Sequence, residues 1–246
     1  MKKNTIVLFV FSLFITGLQA QSIKDVFNKV TKKDTASKSG SVLGKGLSNG
    51  DIISGLKEAL RIGTDSSSKK LSKIDGFFGD AAIKILMPAE ALKVEKTLRS
   101  AGMGLVVDNA ILAMNRAAED AASGVGNIFW NSIKKMSVSD GLQILRGGDF
   151  AATDYLKKGT TIELTEKFRP VIEASLIKTN ATKYWSELFT NYNKFTFKKI
   201  NPDLTAYVTE RALSGLFLNI SLQEQKIRKD PASQVTGILK SVFGGK

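Results

Sequence analysis

The sequence predicts an all-α fold, a single compact multi-helix domain that follows a signal peptide and a flexible linker. Two observations predict it. Apolar residues of the domain recur at the three- and four-residue spacing of helix faces. Alternation of the kind found in strands occurs only at Phe195-Thr196-Phe197, which is too short to form a sheet. The domain is predicted to span residues 49–246, which is long enough for a substantial core.

The first twenty residues predict a secretory signal peptide, residues 1–20. Lys2 and Lys3 precede an apolar run from Ile6 to Leu18, and small residues lead to a cleavage position after Ala20. The run is too short to span a hydrocarbon core of about 30 Å comfortably. Without a cysteine at the junction, a lipid anchor is not expected. We predict a periplasmic or secreted mature chain that is not a transmembrane protein, with an uncleaved anchor as the alternative.

Residues 21–48 are predicted to join the signal peptide to the domain. A short amphipathic stretch, Gln21 to Val30, is followed by a segment rich in Ser, Gly and Lys that can bury little apolar surface. We therefore predict a flexible linker. At its end, Gly46-Leu47-Ser48-Asn49-Gly50 matches the nucleophile elbow of hydrolases. That elbow requires a preceding strand and a histidine base, so we interpret the match as chance.

Apolar stripes predict the first helices of the domain. The first stripe is Ile52, Leu56, Ala59 and Leu60. The second runs from Leu105 to Ala121 and is rich in alanine, which favours close helix packing. Gly102 and Gly104 predict a turn ahead of it. A short helix is predicted after Ser139 and ends at Gly147-Gly148.

The next helix is predicted from apolar residues between Tyr155 and Ile172. Asp149 or Thr153 is expected to cap its start, because short polar side chains accept hydrogen bonds from free backbone N–H groups there. Pro170 lacks such an N–H and is expected, together with Gly159, to break the helix into pieces.

The C-terminal part of the domain carries the clearest boundary signals. Asn201-Pro202-Asp203 predicts the start of a long helix, and Asp230-Pro231 predicts its end. A last short helix is expected from Ile238, Leu239, Val242 and Phe243. Between Tyr184 and Phe197 the chain is rich in aromatic residues, of which Trp185, Phe189 and Tyr192 share one helical face. These form either a core helix or an amphipathic surface that contacts lipid or a partner.

The composition excludes several classes of active site. The chain has no cysteine and no histidine, which excludes thiol nucleophiles, Fe–S clusters, thiolate zinc sites and the commonest general base. No calcium loop of the Asp-x-Asp-x-Asp-Gly type is present, although composition alone allows an oxygen-only Ca²⁺ or Mg²⁺ site. The Ser-x-x-Lys and Gly-x-Gly patterns are interpreted as chance matches. We predict no catalytic residue, no metal ligand and no cofactor.

The chain is basic, with 36 Lys+Arg, 23 Asp+Glu and a net charge of +13, which falls to +11 when Lys2 and Lys3 leave with the signal peptide. The basic residues are spread along the chain, and no zinc-finger spacing or RNA-recognition signature is present, so nucleic acid is not a predicted partner. An exported cation meets anionic envelope components such as phospholipid headgroups. The alternative is that the lysines form an ordinary solvated surface.

Polar residues that stand beside apolar helix positions are the candidate ligand-binding residues. They are Arg116, Glu119, Thr153, Tyr207 and Arg211. Arg116 and Glu119 are spaced to pair on one helix face, and Arg211 is expected in an apolar seam, where it would meet a carboxylate from another helix. The alternative for all five is internal hydrogen bonding that fixes helix packing.

Six segments of the domain are distinctive in combination: Gly55-Leu56-Lys57-Glu58-Ala59-Leu60, Met114-Asn115-Arg116-Ala117-Ala118-Glu119, Ala151-Ala152-Thr153-Asp154-Tyr155-Leu156, Tyr207-Val208-Thr209, Ala212-Leu213-Ser214-Gly215-Leu216-Phe217 and Ile227-Arg228-Lys229-Asp230-Pro231. Together they resemble one family of bacterial secreted, all-helical proteins that is known as a domain of unknown function. The resemblance covers roughly Asn49 to the C-terminus, and it implies a signal peptide, an envelope location in Gram-negative bacteria and no assigned activity. Some members carry a lipobox cysteine, which this chain lacks.

These observations predict a non-catalytic periplasmic helical protein that binds an envelope partner, or an apolar or anionic ligand, between its helices. The alternative is a carboxylate-dependent hydrolase or lyase that acts on an envelope substrate, which requires two carboxylates facing each other across a cleft. That alternative is abandoned if Glu119, Glu163, Glu166 and Glu173 are all exposed or paired with Arg and Lys.

Overall fold

The structure is a computed structural model that describes residues 48–194, 199, 203–230, 233, 234, 236, 237, 240 and 242, with residues 184, 187, 188, 191 and 192 described by their backbone alone. The predicted signal peptide and, apart from Ser48, the predicted linker lie outside the described residues. So do the strand-like Phe195-Thr196-Phe197 and most of the predicted last helix.

The described residues contain eight α-helices and a one-turn 3-10 helix, and no strand is present among them. The all-α prediction is therefore confirmed. In chain order the elements are α1 (Asn49–Leu71), the 3-10 helix (Ala89–Ala91), α2 (Leu92–Ser100), α3 (Gly104–Ala121), α4 (Gly126–Lys135), α5 (Val138–Arg146), α6 (Ala151–Lys178), α7 (Ala181–Lys194) and α8 (Leu204–Lys229). In this part of the chain no helix is both long and apolar enough to cross a membrane.

Two helices begin at capping boxes that the local sequence encodes. At the start of α1, Asp51 N donates to Ser48 Oγ and Ser48 N donates to Asp51 Oδ2, both at 3.1 Å. Ser137 and Asp140 repeat this arrangement at the start of α5, two residues before the predicted Ser139. Each box satisfies a backbone N–H that the first turn of a helix leaves free. Ser48 therefore serves as a helix cap.

Helix α6 is continuous over 28 residues, so the predicted breaks at Gly159 and Pro170 are wrong. Pro170 lies on the exposed side of the helix, where water can reach the carbonyl of Glu166 that loses its N–H partner. Gly159 has a packing role instead. A Cβ atom there would stand 3.0 Å from Ser132 Oγ of α4, so the glycine permits the close approach of α4 to α6.

The long helices α6 and α8 pack along each other at the centre of the domain. Helix α3 packs on α6, α1 packs on α8, and α4 and α5 fill the space beside α1 and α6. Four phenylalanine side chains are almost fully buried in the resulting core, and burial of each contributes roughly 1.5–3 kcal/mol. They are Phe77, Phe129, Phe168 and Phe189.

Helix α7 packs its aromatic face inward. Trp185 and Phe189 are both buried, and their ring centroids lie 4.4 Å apart. For these two residues the core interpretation of the aromatic segment is confirmed. The side chain of Tyr192 lies outside the described residues.

Two helix glycines give opposite expectations for substitution by alanine. At Gly215 of α8, a Cβ atom would stand 2.7 Å from Cε1 of the buried Phe77 ring, so Gly215→Ala is expected to destabilise the protein by about 1–2 kcal/mol. At Gly63 of α1, a Cβ atom would meet Gln223 Cβ at an ordinary 3.7 Å, so Gly63→Ala is expected to stabilise it by about 0.5–1 kcal/mol. Thermal unfolding of both variants should show midpoints that move in opposite directions. A shift of both midpoints upward would contradict the close packing at Gly215.

Candidate functional site

An elongated groove lies on the outer side of α3. It has a volume of about 680 Å³ and is bordered by α2, α3, α6, α7 and the first residue of α8. Met87, in the segment that precedes the 3-10 helix, also borders it. Along α3 the lining runs from Val106 to Asp120, which corresponds to about 21 Å of helix. Most of the lining is apolar, and its main side chains are Leu98, Val106, Ala110, Ala113, Trp185 and Leu204.

The polar lining residues gather mainly toward the C-terminal end of α6. Ser175 Oγ donates a hydrogen bond to Asp120 Oδ2 at 2.7 Å across the groove floor. Lys178 is exposed and forms no ion pair with any acidic side chain that the structure describes. This end of the groove therefore offers one cation, one carboxylate and a hydroxyl to a ligand.

Arg116 also lines the groove, but its guanidinium is engaged by two carboxylates. Arg116 Nη1 donates to Glu119 Oε2 at 2.6 Å, and Nη2 donates to Asp75 Oδ1 at 2.7 Å. The hydrogen bond to Glu119, followed by the one to Asp75, raises the pKa of Arg116 above its usual value. The predicted pairing of Arg116 with Glu119 is confirmed, and Asp75 extends it to a loop.

Glu119 turns its other oxygen to the irregular segment 72–88 between α1 and the 3-10 helix. Glu119 Oε1 accepts hydrogen bonds from Phe77 N at 3.0 Å and Phe78 N at 3.2 Å. One turn earlier on α3, Asn115 exchanges hydrogen bonds with both backbone groups of Ile85, at 2.9 and 2.8 Å. Buried backbone groups in a loop lack the hydrogen-bond partners that a helix would provide. The side chains of Glu119 and Asn115 act as the partners of the loop backbone instead.

Thr153 belongs to a second buried cluster, centred on Glu224 of α8. Glu224 Oε1 accepts from Ala152 N at 3.0 Å, and Oε2 accepts from Thr153 N at 2.8 Å and Thr153 Oγ1 at 2.7 Å. Arg228 pairs with the same carboxylate at 2.8 Å and donates to Ile144 O at 3.0 Å. The void beside this cluster has a volume of about 20 Å³, enough for one water molecule and no larger ligand.

This second cluster explains how α6 begins. Its N-cap residue, Phe150, has no capping side chain, and neither Asp149 nor Thr153 caps the helix as predicted. The carboxylate of Glu224 accepts from the first-turn N–H groups instead, and its negative charge is favourably placed at a helix N-terminus.

Tyr207 and Arg211 lie one turn apart on α8 and have different surroundings. Tyr207 Oη donates to Leu86 O at 2.7 Å, and its ring stacks on Trp185 with centroids 6.5 Å apart. Burial raises the pKa of Tyr207 above its usual value. Arg211 is exposed and has no ion pair with a described carboxylate, so its predicted place in an apolar seam is wrong.

The five predicted site residues are therefore not brought together. Arg116 lines the groove with Glu119 behind it, and Tyr207 supports Trp185 of the groove wall. Thr153 lies far away, because 22 residues of α6, or about 33 Å, separate it from Ser175. Ligand contact by these five residues stays a prediction.

Most of the residues that line the groove were not predicted from the sequence, although the sequence of α3 contains a signal for them. Helix α3 carries apolar residues on two sides, because Val106 and Ala113 line the groove while Ile111 and Ala118 are buried and do not line it. A helix that is apolar beyond a single stripe indicates a second apolar partner or ligand.

The carboxylates of the enzymatic alternative do not face one another. Glu163, Glu166 and Glu173 are exposed on α6, and Glu119 is held by Arg116. This is the condition under which the carboxylate-dependent alternative is abandoned. Among the described residues no group of three acidic side chains is placed to hold a metal ion.

Comparison with known proteins gives one match. The model of the family DUF4197, described as a protein of unknown function, matches residues 46–244. The predicted resemblance to a domain-of-unknown-function family is therefore confirmed. No curated protein and no solved structure is similar enough to match the chain.

Proposed function

The chain belongs to the DUF4197 family of proteins of unknown function, and we propose that it is a non-catalytic, exported helical protein that binds an elongated apolar ligand in the groove along α3. The observation that carries the proposal is the groove itself. Its volume of about 680 Å³ lies within the 300–1,000 Å³ that small-molecule sites occupy, and its lining combines an apolar wall with a few polar groups at one end.

The polar end orients the ligand without selecting strongly for charge. Lys178 and Asp120 have opposite charges and both border this end, while Arg116 is already neutralised by Glu119 and Asp75. Apolar contact therefore supplies most of the affinity. A ligand with an acyl chain is expected to bind with its headgroup beside Ser175 and its tail toward Val106.

Export is part of the proposal and rests on the sequence alone. Lys2 and Lys3, the apolar run and the small residues before Gln21 are typical of a signal peptide for the secretory pathway. The mature chain would begin at Gln21 and act in the periplasm of a Gram-negative bacterium, where apolar ligands of the envelope are available.

Native mass spectrometry of the protein purified from the periplasm tests both parts. The intact mass is expected to correspond to a chain that begins at Gln21, with a stoichiometric apolar ligand released by organic extraction. A mass of the uncleaved chain would contradict export, and a chain that never carries a ligand would contradict the groove proposal.

Filling the groove gives the matched mutational test. Ala113 is half-buried on the groove wall, so Ala113→Phe is expected to weaken binding of dodecanoate at least about tenfold while the unfolding midpoint changes little. Tryptophan fluorescence reports the titration, because Trp185 lines the groove and the other tryptophan, Trp130, does not.

Two controls keep this test specific. Ser66→Phe adds the same side chain at an exposed position of α1, which does not border the groove, and is expected to leave binding unchanged. Dodecanol is expected to bind within about fivefold of dodecanoate, because an exposed ion pair to Lys178 contributes less than about 1 kcal/mol. Unchanged dodecanoate affinity in Ala113→Phe would place the binding site elsewhere.

A further inference from the structure

The helices α2 and α3 and the turn between them form a hairpin that exposes several large apolar side chains. Leu92, Met103, Leu105 and Val106 are 52%, 45%, 77% and 56% exposed. We call these four residues the hairpin patch. Single apolar residues are common on soluble surfaces, but Met103, Leu105 and Val106 fall within four consecutive residues at the turn, a concentration that marks a candidate interaction surface.

The hairpin is well defined but lies at the edge of the domain. Gly102 takes a φ of 80° in the turn, a conformation that favours glycine. Arg99 joins the two helices, since it donates to Glu95 Oε1 at 2.9 Å within α2 and to Asp108 Oδ1 at 2.8 Å on α3. No residue of α2 is buried, and this helix packs mainly on α3. The hairpin patch is therefore presented on a fixed frame outside the core.

The hairpin itself, residues 92–108, carries three basic residues and two acidic ones, and the exposed Glu90 precedes it. Arg99 engages both Glu95 and Asp108. Lys93 and Lys96 are exposed on α2 and form no ion pair with any acidic side chain that the structure describes. A surface that accepts this hairpin must therefore take up apolar side chains, and negative charge on that surface would find a counterpart in Lys93 and Lys96.

We propose that the hairpin patch docks the protein on a phospholipid bilayer that contains anionic lipid. Its apolar side chains enter the boundary between headgroups and acyl chains, and Lys93 and Lys96 lie against lipid phosphates. A second copy of the chain fits less well, because a two-fold contact through the patch would bring the lysines of both copies together. The proposal goes beyond the groove ligand. Val106 belongs to both the hairpin patch and the groove lining, so the test leaves it unchanged.

Sedimentation of the purified protein with vesicles tests this surface. The protein is expected to sediment with vesicles of phosphatidylcholine and phosphatidylglycerol, and the double variant Met103→Ser/Leu105→Ser is expected to bind at least about tenfold more weakly. Neither residue lines the groove, so dodecanoate binding by this variant should stay unchanged. Loss of vesicle binding is thereby distinguished from loss of the groove ligand.

A matched control comes from two residues of similar exposure elsewhere. Val138 of α5 and Ile162 of α6 are 48% and 77% exposed, so Val138→Ser/Ile162→Ser removes the same amount of exposed apolar surface outside the hairpin. This control is expected to sediment like the unmodified protein. Lys93→Gln/Lys96→Gln is expected to lose the preference for vesicles with phosphatidylglycerol.

Three results would overturn the proposal. The unmodified protein could stay in the supernatant with both vesicle compositions. The control variant could lose as much binding as the hairpin variant. Binding could also disappear in moderate salt while remaining insensitive to Met103→Ser/Leu105→Ser, which would indicate adsorption through dispersed lysines alone.

Discussion

Replacing Glu224 with alanine is expected to lower the free energy of unfolding by about 3–5 kcal/mol. The carboxylate is buried, and it accepts hydrogen bonds from Ala152 N, Thr153 N and Thr153 Oγ1 in addition to its ion pair with Arg228. The alanine variant would remove the carboxylate that pairs with the largely buried guanidinium of Arg228 and would leave two N–H groups without an acceptor. Small domains are stable by only about 5–15 kcal/mol, so this loss is a large fraction of the total.

Urea unfolding followed by circular dichroism measures the loss as a lower midpoint. Glu210→Ala is the matched control, because Glu210 lies on the same helix with its side chain exposed, and its replacement is expected to change stability by less than about 0.5 kcal/mol. The unfolding midpoint of Thr153→Val should fall between those of Glu224→Ala and Glu210→Ala, because this change removes one of the hydrogen bonds to Glu224. Equal midpoints for Glu224→Ala and Glu210→Ala would show that the cluster does not stabilise the fold.

Replacing Glu119 with alanine is expected to cost about 3 kcal/mol and to loosen the segment 72–88. The change removes the acceptor of Phe77 N and Phe78 N, and an unsatisfied buried donor costs about 1–3 kcal/mol. Arg116 keeps Asp75 as its partner, so the local effect falls mainly on the loop backbone. Trypsin cleavage after Lys84, in this loop, should therefore become faster under native conditions.

Glu173→Ala serves as the control for this experiment. Glu173 is an exposed residue of α6, and its replacement is expected to leave both the unfolding midpoint and the cleavage rate unchanged. If Glu119→Ala retained full stability but lost dodecanoate binding, Glu119 would act on the ligand in the groove. The hydrogen bonds that Glu119 accepts from Phe77 N and Phe78 N would then contribute little to stability.

Local signals in the sequence were sufficient for several element boundaries. Helix α8 follows the predicted Asn201-Pro202-Asp203, and Asp203 is its N-cap through a 2.9 Å hydrogen bond from Ala206 N. It ends at Lys229, before the predicted stop. Such signals act within one turn, so neighbouring residues contain all the information. Pro170 failed as a break because the packing of a long central helix outweighs one missing hydrogen bond on its exposed side.

The candidate site depends largely on contacts between residues that are distant in the sequence. The Arg116–Glu119 pair is a three-residue spacing and was predictable, whereas Asp75 and Phe77 reach it from a different part of the chain. The neighbours of Arg211 in sequence predicted an apolar seam around it, but the buried face of α8 runs through Val208 and Ala212 and leaves Arg211 exposed. The groove depends on how α3, α6 and α7 are arranged, which no local pattern contains.

The cap that α8 supplies to α6 also bears on the order in which the chain folds. The contacts of Glu224 with Ala152 and Thr153 join residues 72 and 71 positions apart. No side chain nearby in sequence caps the first turn of α6, so the N–H groups of Ala152 and Thr153 gain their acceptor only after the C-terminal helix has been made and has docked. Nonlocal contacts of this kind form late and slow folding. In a nascent chain whose α8 has not yet been synthesised, the first turn of α6 would therefore be frayed. The domain would complete its folding only after α8, its last long helix, has been made.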